Sequence, residues 1–200
     1  TTLADLILGL VSPDEGQFCV DESVILGDNA RAWRRNIGYV PQHIFLCDDT
    51  VANNIAFGVA PADINRAAVE RAASRAHVDD FALALPHGID TVVGDLGVQL
   101  SGGQRQRIGI ARALYSAPEV MVMDEATSAL DSVTESAVMQ AIDALRGDTT
   151  LVLVAHRLAT VERCDVVFVL EDGKLVAQGS YTELSGKSAA FRELALLSPD

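Results

Sequence analysis

Two short runs gather the residue types that handle phosphate and water. LSGGQRQRIGIARAL, residues 100–114, opens with Ser101, Gly102, Gly103 and Gln104. Ser101 followed three residues later by Gln104 fits a capping box, and Ile108, Ala111 and Tyr115 fit the buried face of the helix it starts. A cap alone leaves the paired glycines unexplained, because each costs backbone entropy. They remove side chains just where exposed N–H groups and the helix dipole can grip an anion, so the pair predicts a phosphate site. EVMVMDE, residues 119–125, ends an apolar run in two carboxylates. Open α/β sheets present ligand groups at such strand ends. Asp124 there suits Mg²⁺ held through its water shell, and Glu125 suits taking a proton from attacking water. A strand ending in solvated acids has the same wording. The order of the parts carries the inference: glycine-rich helix start, then strand with two acids, then Ser128-Ala129-Leu130-Asp131.

These residues need a scaffold, and its elements are legible. Leu3, Leu6, Ile7 and Leu10 predict a first helix ended by Gly9 and the SPDEG turn. Phe18 with Val20, Val24 with Ile25, and residues 37–40 ahead of Pro41 predict three short strands. From about residue 53 to 115 the chain is Ala-rich and helical in period, as in INRAAVERAASRAHVDDFALAL. Continuous apolar runs at 120–123, 151–155 and 166–170 predict parallel strands buried on both faces. A helix over 133–145 joins the first two as a strand-helix-strand crossover. EDGKLVAQG predicts a hairpin turning at Asp172-Gly173. A last helix is expected over 188–197.

The chain has 200 residues, 49% hydrophobic and 22% charged, which suits a folded domain with a sizeable core rather than a disordered chain. Its 15 basic residues against 28 acidic ones give a formal charge of -13, so most of the surface would repel nucleic-acid phosphates, and no nucleic-acid partner is expected. Cys19, Cys47 and Cys164 are odd in number and far apart, which argues against a zinc site or a disulfide framework and for a reducing compartment. The chain opens on Thr1 directly in helical periodicity, and is read as a fragment.

In this order the motifs resemble the nucleotide-binding domain of ATP-binding cassette transporters, over essentially the whole chain. LSGGQ corresponds to that family's signature, VMVMDE to Walker B, SALD to the D-loop, and Val154-Ala155-His156-Arg157 to the switch-histidine region. Gln42 in YVPQ matches the Q-loop. Thr1-Thr2-Leu3 is similar to the end of Walker A, whose glycine-rich loop and Lys would precede residue 1. The resemblance implies an α/β fold, a P-loop NTPase-like mainly parallel sheet with an inserted helical subdomain and its N-terminal strands missing. It divides the chain into a sheet core, 1–42 and 117–200, and a helical subdomain, 43–116, that carries the signature.

The resemblance also implies ATP and Mg²⁺ as ligands. Thr1, Gln42 and Asp124 would hold the metal, and Glu125, His156 and Gln42 would serve catalysis. Thr1, Thr2, Ser101, Gly102, Gly103, Gln104 and Asp131 would bind nucleotide. An ordinary Thr N-cap would account for Thr1 and Thr2 equally. His43, His77 and His87 lack any such context and read as surface or packing residues. TVVGDLG, residues 91–97, is similar to the loop that precedes the signature in exporters, with Asp95 where Glu is usual. The implied partners are transmembrane domains and a second nucleotide-binding domain paired head to tail, at the cytoplasmic face of a membrane. The implied function is ATP hydrolysis that powers an exporter or a lipid-linked glycan flippase. The alternatives are a soluble cassette ATPase not coupled to transport and a regulatory cassette without turnover. The fragment itself is expected to bind ATP poorly.

Overall fold

The structure is a computed structural model that describes residues 2–94, 100–126, 132–155, 157–188 and 191–192. The chain divides into two compact units, 1–154 and 155–200.

In the first unit α1 (Thr2–Ile7) ends at Gly9, whose φ of 66° suits a residue without Cβ. β1 (Cys19–Val20) and β2 (Ser23–Val24) pair antiparallel about Asp21 and Glu22, both at positive φ. α2 (Asp28–Arg35) follows; the strand readings around it left no place for this helix. Its Trp33 indole N–H donates to the Ile7 carbonyl at 2.7 Å and its Arg34 to the Gly9 carbonyl at 2.7 Å. Two carbonyls at the end of α1 are thereby satisfied by side chains.

The three-stranded parallel sheet has the order β3 (Ile37–Val40), β4 (Val120–Asp124), β5 (Thr150–Val154). The register pairs Val40 with Met123 and Asp124 with Val154. Between β3 and β4 lie α3 (Val51–Ile55), α4 (Arg66–Arg75), α5 (Asp79–Ala82) and α6 (Gly102–Leu114). α7 (Ser132–Asp143) makes the crossover to β5, close to the expected 133–145. Successive residues of β4 face opposite ways. Met121 and Met123 enter the larger core with Ile108 and Ile110 of α6 and Val138 and Ile142 of α7, while Val122 packs with Ala4 and Leu8 on the other side.

Gly38 is obligatory in this packing, because a Cβ there would lie 2.8 Å from the Ala113 carbonyl oxygen of α6. At the end of α4, His77 takes φ 54° while the Val78 N–H reaches the Ala73 carbonyl at 2.8 Å, a left-handed cap filled by His instead of Gly.

The second unit contains α8 (Leu158–Val161), an antiparallel hairpin of β6 (Val167–Glu171) and β7 (Lys174–Gly179), and α9 (Tyr181–Lys187). The hairpin turns at Asp172-Gly173 as the sequence indicates, with φ of 48° and 74°. The expectation of a buried parallel strand at 166–170 is corrected. β6 pairs only with β7 among the described strands, and Phe168 is 59% exposed. A continuous apolar run cannot distinguish the two placements. The small core of this unit is Val169, Leu184 and Phe191. α9, held by a capping box between Ser180 and Glu183, has no counterpart in the sequence reading. The helix expected over 188–197 falls mostly outside the described residues. No helix among the described residues is long and apolar enough to cross a membrane.

Candidate functional site

The chemistry gathers at the carboxyl end of β4. Asp124 is its last residue, and Glu125 leaves the strand at φ 48° while its N–H still donates to the Val154 carbonyl at 2.9 Å. A left-handed conformation costs a non-glycine residue roughly 1–2 kcal/mol, and strain of this kind concentrates at functional sites. The strand alternation breaks here, and the Glu125 carboxylate accepts a hydrogen bond from Gln42 Nε2 at 2.6 Å. Gln42 stands just beyond β3, where Pro41 has ended the strand. An N–H donated to an ionised carboxylate is among the stronger hydrogen bonds.

Donating through Nε2 leaves the Gln42 carbonyl oxygen as a second hard donor near the Asp124–Glu125 pair. Mg²⁺ takes one or two carboxylates, retains waters and completes its shell with phosphate oxygens, so this all-oxygen donor set fits it. No cluster of three or more His, Cys, Asp or Glu suited to a metal occurs among the described residues. A site that relies on water and phosphate needs none. On β3, burial first, then the carboxylates of Asp124 and Asp5, push the Tyr39 phenol above its usual value. It therefore remains a neutral hydroxyl at physiological pH.

The glycine-rich helix start is organised as its spacing predicts. The Gln104 N–H donates to Ser101 Oγ at 3.2 Å and the Ser101 N–H donates to Gln104 Oε1 at 2.9 Å. Ser101 and Gly102 are exposed, whereas Gly103 is buried. The Gln104 carbonyl oxygen is thus occupied within its own helix. Arg105 adds a third tie, with Nη1 donating to the Leu100 carbonyl at 2.7 Å.

A network that motif reading missed joins α6 to the arm that follows Gln42. A Cβ on Gly109 would run into the side chain of Ile44. Arg112 donates from Nη1 to the Phe45 carbonyl at 2.9 Å and from Nε to the Asn54 carbonyl at 2.8 Å, and its guanidinium lies 4.8 Å from the Phe57 ring centroid. Burial lowers its pKa from the ordinary arginine value. Buried Asn54 accepts from the Cys47 N–H at 2.9 Å and donates to the Cys47 and Thr50 carbonyls. The only signal for these residues was polarity inside an apolar helical stretch, which does not name a partner.

Of the residues singled out, the structure brings Gln42 to Glu125 beside Asp124, and Ser101 to Gln104 with Gly103 beneath. Thr2 is the exposed first residue of α1. Thr1, Asp95, Asp131 and His156 lie outside the described residues.

Comparison with known proteins adds an independent line. Residues 1–128 match the family described as ABC transporter. An ATP-dependent lipid A-core flippase of Cupriavidus metallidurans is 44% identical over 195 residues, covering 97% of this chain and 33% of its own. The ABC-type transporter fsqE of Aspergillus fumigatus is 40% identical over 194 residues, covering 97% of this chain and 15% of its own. The solved structure of a bacterial Atm1-family ABC exporter with ATP bound superimposes with a TM-score of 0.87 at 37% identity, covering 100% of this chain and 35% of that one. The chain thus spans about a third of the length of the flippases it matches.

Proposed function

The chain belongs to the ABC transporter family, and from that premise we propose that it is the ATP-binding and ATP-hydrolysing part of an exporter, with a lipid-linked glycan as the cargo. The observation that carries the reading is the 2.6 Å contact of Gln42 with Glu125, next to Asp124 at the end of the central strand. The flippase relatives and the exporter likeness support the direction and the lipid class of the cargo.

In this reading Glu125 accepts the proton of the attacking water, and Gln42 Nε2 fixes the carboxylate that does so. Asp124 and the Gln42 carbonyl oxygen hold Mg²⁺, together with Thr1. When bound, the metal neutralises charge on the β- and γ-phosphates. Thr2 contacts phosphate at the start of α1 and, as the family resemblance implies, His156 would contact the γ-phosphate and Asp131 would bind nucleotide. The Ser101–Gly103 helix start donates N–H groups to the γ-phosphate of a second copy. The course of α6 supports that division. Ile44 rests on α6 at Gly109, and about 12 Å of helix continues from there to Ser101. Two copies facing head to tail about a two-fold axis would complete both sites. Transmembrane domains are the further partner, with this part at their cytoplasmic face.

The test is complementation in the complete transporter with two distinguishable copies, one carrying Gly103→Asp and the other Glu125→Gln. With the helix start acting on the other copy's nucleotide, both defects fall on one site and residual ATPase persists. Near-complete loss would place the helix start on its own copy's nucleotide and reject the pairing.

A further inference from the structure

Helix starts closed by a capping box usually carry a second tie, an apolar contact between the residue before the N-cap and the fourth helical residue, which sets the direction from which the chain approaches. In α6 those two positions are Leu100 and Arg105. No apolar pair can form there. The tie exists in another chemistry, because Arg105 Nη1 donates to the Leu100 carbonyl at 2.7 Å. The Leu100 side chain is released to pack in the main core, where it is 5% exposed. The Ser101 N–H is held from the same helix by Gln104. The carbonyl before Ser101 and the N–H of Ser101 are thus gripped by adjacent side chains, while Ser101 itself stays exposed.

We infer that Arg105 is a positioning residue, a polar staple that fixes the direction in which Ser101 and the Gly102–Gly103 N–H groups face the γ-phosphate. It acts through the backbone of Leu100 and not by touching nucleotide. Guanidinium suits this duty: it reaches back a full turn and binds a carbonyl without adding negative potential beside a phosphate site. The inference rests on the proposed role of the helix start in holding ATP. On the proposed role, the helix start holds the γ-phosphate in the bound substrate as well as in the transition state, and loss of such uniform binding is read in KM more than in kcat.

The experiment compares Arg105→Leu, Arg105→Lys and Gly103→Asp in the complete transporter. Arg105→Leu removes the donor and keeps a good helix former, and with the Leu100 side chain committed to the main core no apolar pair replaces the tie; that the fold is retained is verified by circular dichroism and Tm. Its ATP KM should rise about tenfold with kcat within about twofold, and the ATP concentration needed to pair two copies in a Glu125→Gln background should rise by the same factor. Arg105→Lys, which keeps a cationic donor for the Leu100 carbonyl, should restore KM to within about twofold. Three results would overturn the staple: an unchanged KM in Arg105→Leu, a parallel fall of kcat and Tm, or a Lys variant as impaired as the Leu variant. Gly103→Asp separates the underlying reading. If it too leaves ATP-driven pairing intact, the helix start does not hold ATP; if it abolishes pairing while Arg105→Leu does not shift it, only the staple fails.

Discussion

At the scale of single residues, Glu125 combines a carboxylate, a left-handed backbone and a hydrogen-bonded partner, Gln42. The carboxylate stood out in the sequence only through the order of the parts, glycine-rich helix start, then VMVMDE, then SALD, since an apolar run ending in acids is by itself a weak signal. The left-handed backbone and the bond from Gln42 were not legible, because 83 residues of chain separate the two side chains. Glu125→Gln keeps the shape, and its amide oxygen can still accept from Gln42 while the charge is gone. It should therefore bind ATP normally and turn over roughly 10²–10⁴ times more slowly, measured as phosphate release at saturating ATP. Wild-type turnover would remove Glu125 from the chemistry. Arg112 and Asn54 show where residue-level reading stops: both spend their polar groups on backbone carbonyls or N–H groups, which no side-chain motif encodes.

At the scale of elements, legibility followed how local the determining physics is. The capping box of α6 and the Asp172-Gly173 turn are fixed within four residues, and both stand as read. β6 does not, because its apolar run says how hydrophobic the strand is and nothing about which strand it meets. α2 was missed for a related reason: RAWRR is polar on most of its surface, and what holds it is the long-range bond of Trp33 to α1. Gly109 shows the reverse, a residue chosen by a neighbouring element. Gly109→Val would push Ile44 off α6 and should destabilise the chain by about 1–3 kcal/mol, seen as a lower urea midpoint with an unchanged m-value. A further test concerns the start of α4, where Arg66 pairs with Asp90, Nη2 to Oδ2 at 2.8 Å. The Arg66 hydrogen bond holds the Asp90 carboxyl below its usual value. Asp90 therefore binds its proton less readily folded than unfolded. The pair's stabilisation is full above the ordinary carboxylate range and is lost as pH falls through the folded value. Both groups are largely exposed, so Arg66→Met should cost less than about 1 kcal/mol at neutral pH. That deficit should vanish in acid, with the two denaturation curves merging; a deficit that persists there would mean the pair is not its source.

At the scale of the whole molecule, the proposed pairing of two copies follows from where the two candidate phosphate-facing parts lie. Glu125 and Gln42 sit at the carboxyl ends of β4 and β3, whereas the capped glycines lie at the far end of a helix that passes the arm following Gln42. In the proposed pairing the same sequence would offer two different faces to one nucleotide. Sequence motifs identified both faces but carried no information on their separation, which the course of α6 supplies. One further feature is open to direct observation. Trp33 is the sole tryptophan of the chain, its indole N–H is bonded to the last carbonyl of α1, and its ring meets Phe18 edge-on at 5.9 Å. Nucleotide gripped at Thr2 would load the opposite end of that six-residue helix. Ultraviolet emission excited selectively in the indole should therefore change in wavelength or intensity as ATP is titrated into the complete transporter, and the part of that change due to this helix should be lost when Trp33 is replaced by Phe. The molecule carries its own built-in fluorophore, wired by a single hydrogen bond to the helix that would feel the phosphate.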